Sequence, residues 1–139
     1  MYDYVDRQAA RINFSCVVIY NDIMKLGGTE RKSLTVDFPE VPKEYLGDFI
    51  RGYFDGDGYV YYRKGNKINT AFTCESKRFL DVLLSILKEE ANVKGGSYDA
   101  TSMSLRFGNK DSIKIGNFIY KDNPKLFLLR KKEKFNNIS

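Results

Sequence analysis

Histidine is absent from this chain, and cysteine and proline are scarce, with two and three residues respectively. Without imidazole the chain has no Ser-His-Asp triad, no histidine general base and no histidine-bearing zinc site. Its chemistry must therefore rely on carboxylates, lysine, arginine or a metal ion held by oxygen atoms. Cys16 and Cys74 lack a metal-ligand spacing, which favours two free thiols in a cytosolic protein.

Long apolar runs are missing as well. No uninterrupted apolar stretch approaches the ~20 residues that a membrane span requires. The segment Met1 to Asp6 is too acidic and too poor in apolar side chains to serve as a signal peptide. We therefore expect no membrane partner and a cytoplasmic or otherwise intracellular location.

The bulk composition is that of a soluble, basic globule. At 139 residues and 42% hydrophobic content, the chain is long enough for one domain with a real core. Its net charge of +5 gives a basic surface, which suits a polyanion because neutralised phosphates release their condensed counterions. Many basic proteins bind no nucleic acid, so the charge alone does not decide the function.

The segment from Phe49 to Gly58 carries the strongest signal in the sequence. Apolar residues at helical spacing run directly into Asp55-Gly56-Asp57-Gly58, with no polar linker between them. Acids at the C-terminal end of a helix face the negative end of its dipole, so a positive group should compensate them. A hard divalent cation is one candidate, and the alternative is a glycine-rich turn formed by both aspartates.

These residues resemble the LAGLIDADG motif of homing endonucleases. Gly52, Asp55, Asp57 and Gly58 take the places of the motif's glycine, first aspartate, last aspartate and last glycine, whereas Arg51 replaces its usual alanine.

The flanking sequences support the same resemblance. The lead-in from Phe38 to Leu46 and the ending from Leu128 to Phe135 are similar to intein-type and intron-type members. The resemblance covers roughly residues 36 to 135.

The patterns along the chain predict an α+β fold. A helix follows Pro42, a β-hairpin spans Tyr59 to Cys74, a second helix follows Ser76, and a second hairpin and a third helix reach Tyr120. This αββαββα order is the one that the resemblance implies, with a saddle-shaped antiparallel sheet and the helices on one face. A final short helix is predicted over Leu126 to Phe135.

Strand alternation assigns side chains to the two faces of the sheet. Met103, Leu105 and Phe107 are predicted to face the helices. The open face then carries Lys67, Asn69, Thr73, Ser104 and Arg106, and the register that the resemblance implies adds Tyr61 and Arg63. This face is polar and basic with almost no acid. Either it is a solvated outer face or, as the resemblance implies, it enters the major groove of double-stranded DNA.

The resemblance also implies the roles of the site residues. Asp57 would bind Mg²⁺ or Mn²⁺ together with the carbonyl of Gly56, and Asp55 would support it. Arg106 would either stabilise negative charge near the scissile phosphate or simply position a phosphate. The water-positioning residue is left open among Thr73, Glu75 and Ser76.

One motif supplies one metal-binding acid, whereas cleavage of two strands needs two. We therefore expect a homodimer or a missing partner repeat, with contacts through Phe49, Gly52, Tyr53 and Gly56. The alternative for Gly52 is close packing against the sheet of its own chain.

The two ends of the chain are less distinctive. Residues 1–37 resemble the strand and helix that end a preceding repeat, followed by a linker, and 38–139 form the endonuclease-like domain. Lys131, Lys132 and Lys134 are either a solvated helix face or contacts to flanking phosphates.

The resemblance thus implies a site-specific, Mg²⁺-dependent endonuclease acting on duplex DNA. The alternatives are a non-catalytic DNA-binding regulator, an RNA-splicing maturase on the same fold, or an inactive fragment.

Overall fold

The computed structural model describes residues 37–136, together with Lys25. The predicted strand and helix near the N-terminus, and Cys16, lie outside the described residues, so the idea of a partial preceding repeat stays a prediction. Within the described residues, no helix is long and apolar enough to cross a membrane.

The described domain alternates helices with β-hairpins. A 3-10 turn, Lys43–Tyr45, leads into the helices α1 (Leu46–Asp57), α2 (Lys77–Glu90), α3 (Asn109–Ile119) and α4 (Leu129–Asn136). The strands are β1 (Gly58–Arg63), β2 (Lys67–Thr73), β3 (Ser97–Asp99) and β4 (Ser104–Phe107). All neighbouring strands are antiparallel, and their order in the sheet is β1-β2-β4-β3. This α+β arrangement confirms the predicted order of elements.

The core lies between the helices and one face of the sheet. Ile68 and Phe72 of β2 and Phe107 of β4 are almost fully buried and belong to the same apolar cluster as Ile50 and Phe54 of α1. Burying side chains of this size contributes roughly 1.5–3 kcal/mol each. Because these residues face the helices, the alternate residues of each strand form the open face, as the alternation predicted.

Met103 departs from the prediction that it faces the helices. Its side chain is 37% exposed, and its φ of 48° places it in the turn before β4. A residue with a positive φ leaves the extended alternation of a strand, so the inward register begins only at Leu105.

A buried polar contact fixes α3 on the sheet. Ser112 Oγ accepts a hydrogen bond of 2.9 Å from the N–H of Thr70, and the two hydroxyls lie 3.0 Å apart. Both residues are fully buried. Since a buried polar group costs free energy unless it is paired, this contact favours one placement of α3 along β2.

Candidate functional site

Helix α1 passes into strand β1 without a linker. Asp57 ends the helix, and Gly58 is the first residue of the strand. A Cβ atom at Gly58 would lie 2.3 Å from Phe54 Cδ2 and 2.8 Å from the Phe54 carbonyl oxygen, so only glycine fits this join. The residues just before it, Gly56 and Asp57, are exposed. The sequence therefore places a solvent-accessible carboxylate at the junction of helix and sheet.

Thr73, at the end of β2, holds the backbone of this junction. Its hydroxyl donates a 2.6 Å hydrogen bond to the carbonyl of Asp57, and its own carbonyl accepts a hydrogen bond from the Tyr53 hydroxyl. Burial raises the pKa of Tyr53 far above its usual value, with smaller contributions from Cys74 and from the charge of Asp57. Tyr53 therefore remains a protonated donor, and the carboxylate of Asp57 lies within its electrostatic range.

The other candidates for a water-positioning residue have different surroundings. The Ser76 hydroxyl accepts a hydrogen bond from the N–H of Phe79, which makes Ser76 the N-cap of α2. Glu75 is exposed in the connection between β2 and α2. Thr73, by contrast, contacts the backbone of Asp57 directly.

The positive group at the C-terminal end of α1 is a lysine of this chain. Lys131 is only 5% exposed, and its ammonium donates to the carbonyls of Phe54 (2.7 Å), Asp55 (2.8 Å) and Gly58. This corrects the expectation that Lys131 lies on a solvated face or contacts phosphates. Lys134 is likewise turned inward and donates to the Val60 carbonyl at 2.9 Å. Helix α4 faces the core with Phe135, which brings these lysines onto the end of α1.

Asp55 is bound to the segment that precedes α4. One of its oxygens, Oδ2, accepts a hydrogen bond of 2.9 Å from the N–H of Leu128. Its Oδ1 is buried and has no hydrogen-bond partner within the described part of the chain, as is also true of the Tyr120 hydroxyl. Burial raises the pKa of Tyr120, and the charge of Asp55 raises it further. Asp55 therefore joins α1 to the segment before α4.

The hairpin of β1 and β2 presents aromatic and basic side chains on the open face. Tyr59 and Tyr61 stack with ring centroids 5.9 Å apart, and the Asn69 amide donates to the Tyr61 hydroxyl at 3.4 Å. Arg63 and Lys67 are exposed and lie directly opposite each other in the ladder. Like charges in such a pair repel, and an anion bound between them would remove that cost.

Arg106 lies on the same face but is already paired. Its guanidinium contacts Asp99 Oδ2 at 3.1 Å and donates to the hydroxyls of Ser102 and Ser104, both at 3.1 Å. Ser104 itself is fully buried beneath these contacts. The backbone N–H groups of Ser102 and Thr101, with a contribution from Arg106, lower the pKa of Asp99. The open face was expected to carry almost no acid. Asp99 corrects that expectation, because it is an acid on this face and pairs with Arg106.

The outer side of α1 has two uncovered glycines. A Cβ atom built on Gly52 or on Gly56 would meet nothing within 4 Å. The alternative that Gly52 packs closely against its own sheet is therefore wrong. Phe49 and Tyr53 are partly buried beside them, with rings 5.1 Å from Phe38 and 4.7 Å from Phe79 respectively.

Arg51, which replaces the motif's usual alanine, has a structural role. It is buried, and its guanidinium donates to the carbonyls of Ile119 and Leu126, both at 2.9 Å. It also contacts Asp48 at 3.0 Å. The substitution therefore fixes the loop after α3 against α1 and leaves the outer face of the helix unaltered.

The oxygen donors near Asp57 suit a hard cation but do not make a full coordination shell. In the part of the chain that the structure describes, no three carboxylate or cysteine side chains lie close enough together to hold a metal ion. Lys131 and Thr73 contact the carbonyls of Phe54, Asp55, Gly58 and Asp57. None of these contacts reaches the carbonyl of Gly56. A carboxylate and a carbonyl are ligands that Mg²⁺ and Mn²⁺ accept, so the residues fit part of such a site.

Sequence reasoning missed the contributions of Lys131 and Asp99. One signal was available for Lys131: it stands four residues before Phe135, so both lie on the same face of a helix. Asp99 gave no comparable signal, because its contact with Arg106 depends on the pairing of two short strands.

Comparison with known proteins gives the family. The model of a LAGLIDADG-like domain matches residues 44–125, more than half of the chain. A probable translation initiation factor IF-2 from Methanocaldococcus jannaschii is 40% identical over 63 residues, covering 42% of this chain. The chain spans only 5% of the length of that relative. Among solved structures, none matches this chain.

Proposed function

Because this chain belongs to the LAGLIDADG-like domain family, whose members are generally nucleases, we propose that it is a site-specific endonuclease that hydrolyses phosphodiester bonds in duplex DNA. One observation supports this proposal most directly. Thr73, a residue of the basic open face, binds the backbone of Asp57 at the helix end. A duplex lying on the open face would therefore bring its backbone to an exposed carboxylate.

DNA binding is assigned to the open face of the sheet. Arg63 and Lys67 would neutralise phosphates, and relief of their mutual repulsion favours binding. A hydrogen bond joins Asn69 to Tyr61, and both side chains offer hydrogen-bond donors and acceptors. They lie on a two-stranded β-ribbon, which the major groove is wide enough to admit. Among the described residues the helices cover the other face of the sheet and leave this one open to a duplex.

Asp57 and the carbonyl of Gly56 would hold the metal ion in our proposal. When bound, Mg²⁺ or Mn²⁺ would supply Lewis-acid stabilisation of the negative charge that develops in phosphodiester hydrolysis. The remaining ligands would come from DNA phosphates and from a second copy of the site. Arg106 would exchange Asp99 for a phosphate and stabilise the same charge.

Two copies are needed for cleavage of both strands, so we propose a homodimer that packs through the outer side of α1. Gly52 and Gly56 leave the backbone of that helix uncovered, which permits close approach of a second helix. The two Asp57 residues would then meet near the two-fold axis. A partner repeat on another chain would satisfy the same requirement.

The IF-2 relative does not indicate a role in translation for this chain. The match involves one-twentieth of a protein whose name describes the whole, and the described residues show a LAGLIDADG-like fold rather than any feature specific to translation.

The proposal is tested by separating binding from cleavage. Duplexes bound from a random library in chelator would define the site, and a plasmid carrying that site would then receive Mg²⁺ or Mn²⁺. We expect linear product with either metal and none in chelator. Recovery of a bound site that no metal renders cleavable would instead identify a DNA-binding regulator. Preferential binding of structured RNA would favour a maturase.

A further inference from the structure

Lys131 carries a buried ammonium, and within residues 37–136 no carboxylate contacts it. It is 5% exposed, its three hydrogen bonds all go to backbone carbonyls, and its Nζ also lies 5.2 Å from the centre of the Phe54 ring. Burying a lysine is costly, since its charge must be removed from water. We therefore expect this contact to hold a part of the backbone that the rest of the fold does not hold in place.

The three carbonyls belong to one short stretch of chain. Phe54 and Asp55 contribute from the last turn of α1, and Gly58 contributes from the first position of β1. The carbonyls of Phe54 and Asp55 carry the negative end of the helix dipole, which the ammonium neutralises. Lys131 reaches them from α4, more than 70 positions later in the chain. Its ammonium therefore links both sides of the junction at which Asp57 is exposed.

We infer that Lys131 is a positioning residue for cleavage, an inference that rests on the proposed function. By holding the carbonyls before and after the Gly56-Asp57 pair, it fixes the direction of the Asp57 carboxylate and of the Gly56 carbonyl. It touches neither DNA nor metal itself. The matched family model ends at residue 125, before α4 begins, so Lys131 lies outside the matched segment. The active unit would then extend through α4.

Helix α4 is anchored well enough to act in this way. Phe135 packs on Phe54 and Tyr120, with ring centroids 6.0 and 5.6 Å away. A Cβ at Gly116 would lie 2.4 Å from the Phe135 ring, so α3 accepts this ring only because residue 116 is glycine. Asp55 secures the start of the same segment through the N–H of Leu128.

Two ways of acting predict opposite effects on metal binding. If Lys131 acted only through its charge, its removal would strengthen binding of a nearby cation by relieving repulsion. If it positions the ligands, its removal would weaken metal binding, as loss of residues that orient metal ligands commonly does by 10- to 100-fold. The direction of the change in metal affinity therefore distinguishes the two.

The test compares Lys131→Met with Lys134→Met. The second variant also loses a lysine–carbonyl bond made from α4, but its acceptor is Val60 of β1 and not the end of α1. Cleavage of the selected site is measured against metal concentration, below the melting temperature of each variant. Mn²⁺ binding is followed by electron paramagnetic resonance on a complex with uncleavable phosphorothioate DNA. For Lys131→Met we expect about 10-fold weaker Mn²⁺ binding and about 100-fold slower cleavage at saturating DNA. Binding of DNA in chelator should change less than about threefold.

Lys134→Met is expected to lower the melting temperature without changing the metal requirement. Lys131→Arg keeps the charge but misplaces its donors, so it should fold and show a weaker form of the same defect. It also provides the test if Lys131→Met does not fold. Equal or tighter Mn²⁺ binding by the folded Lys131 variants would overturn the inference alone. Failure of the wild-type protein to cut would overturn the proposed function, and the positioning role with it.

Discussion

At the scale of single residues, Arg106 already has partners within its own chain, and in our proposal a DNA phosphate would replace one of them. In the free protein its guanidinium is held by Asp99 and two serine hydroxyls. A phosphate would have to compete with that carboxylate, which is partly solvated and therefore bound only moderately. Asp99 would then lower the affinity for DNA, and it would release the guanidinium only when a phosphate takes its place.

Replacing Asp99 tests this competition. Asp99→Asn removes the ion pair and an acid from the open face, so DNA binding in chelator should tighten by roughly two- to fivefold at low salt. Asp81→Asn is the control, because Asp81 pairs with Lys77 on helix α2 and leaves the open face unchanged. Fluorescence anisotropy measures both affinities. Unchanged or weaker binding by Asp99→Asn would show that Arg106 does not face the DNA.

The exposed acid of the motif could be predicted from sequence, whereas its supporting contacts could not. Asp57 follows an apolar helical pattern and precedes a glycine, and both signals are local. The burial of Lys131 depends on how α4 crosses the end of α1. The pairing of Arg106 depends on the register of Asp99 opposite Ser104. Neither is encoded in a window of a few residues.

At the scale of elements, the join between α1 and β1 depends on Gly58. Gly58→Ala would bring a methyl group within 2.3 Å of the Phe54 ring and 2.8 Å of its carbonyl. We expect a loss of about 1–3 kcal/mol in the free energy of unfolding, as for other overpacked sites. Gly108→Ala is the matched control, because a Cβ there meets nothing within 4 Å. Urea denaturation measures both, and equal stabilities would contradict this account of the join.

The first turn of α3 should make the fold sensitive to acid. Asp111 accepts hydrogen bonds from the N–H groups of Lys94 (3.0 Å) and Gly95 (2.8 Å). Burial opposes ionisation of Asp111, but these donors and Lys114 outweigh it and lower its pKa. A carboxyl whose pKa is lowered by folding stabilises the fold above its unfolded pKa of about 4 and loses that contribution as pH falls through the folded value.

Asp111→Asn should therefore destabilise the protein by about 1 kcal/mol at pH 7. The difference from wild type should shrink as the pH falls from about 4 towards 2. Urea denaturation at a series of pH values gives both quantities. A difference that stays constant across this range would show that the ionised carboxylate is not what the two N–H groups stabilise.

Most elements were predictable because their signals are local. The turn at Lys64-Gly65-Asn66 separates two alternating strands, and positive φ values at Gly65 and Asn66 show why those residues occur there. Ser76 identifies the start of α2 by its capping hydroxyl. Met103 was misplaced because the turn before β4 takes a residue that alternation would assign to the strand.

At the scale of the whole molecule, the proposed homodimer requires two copies of α1 to meet. Gly52→Leu should leave the monomer folded, because a Cβ at Gly52 finds open space, but should separate a dimer. Ser85→Leu adds the same side chain at an exposed position of α2 and should leave the dimer intact. Sedimentation reports mass and circular dichroism reports folding. Wild-type protein that stays monomeric at high concentration, with and without DNA, would contradict homodimer assembly.

The most direct test of the central claim is cleavage by Asp57→Asn. The exposed carboxylate of Asp57 takes no part in the hydrogen bond that its carbonyl accepts from Thr73, so the variant should fold normally. Its affinity for the selected DNA in chelator should be unchanged or slightly higher, because one negative charge near phosphate is lost. With Mg²⁺ we expect no cleavage above background. Cleavage at the wild-type rate would contradict the assignment of Asp57 as the metal-binding acid.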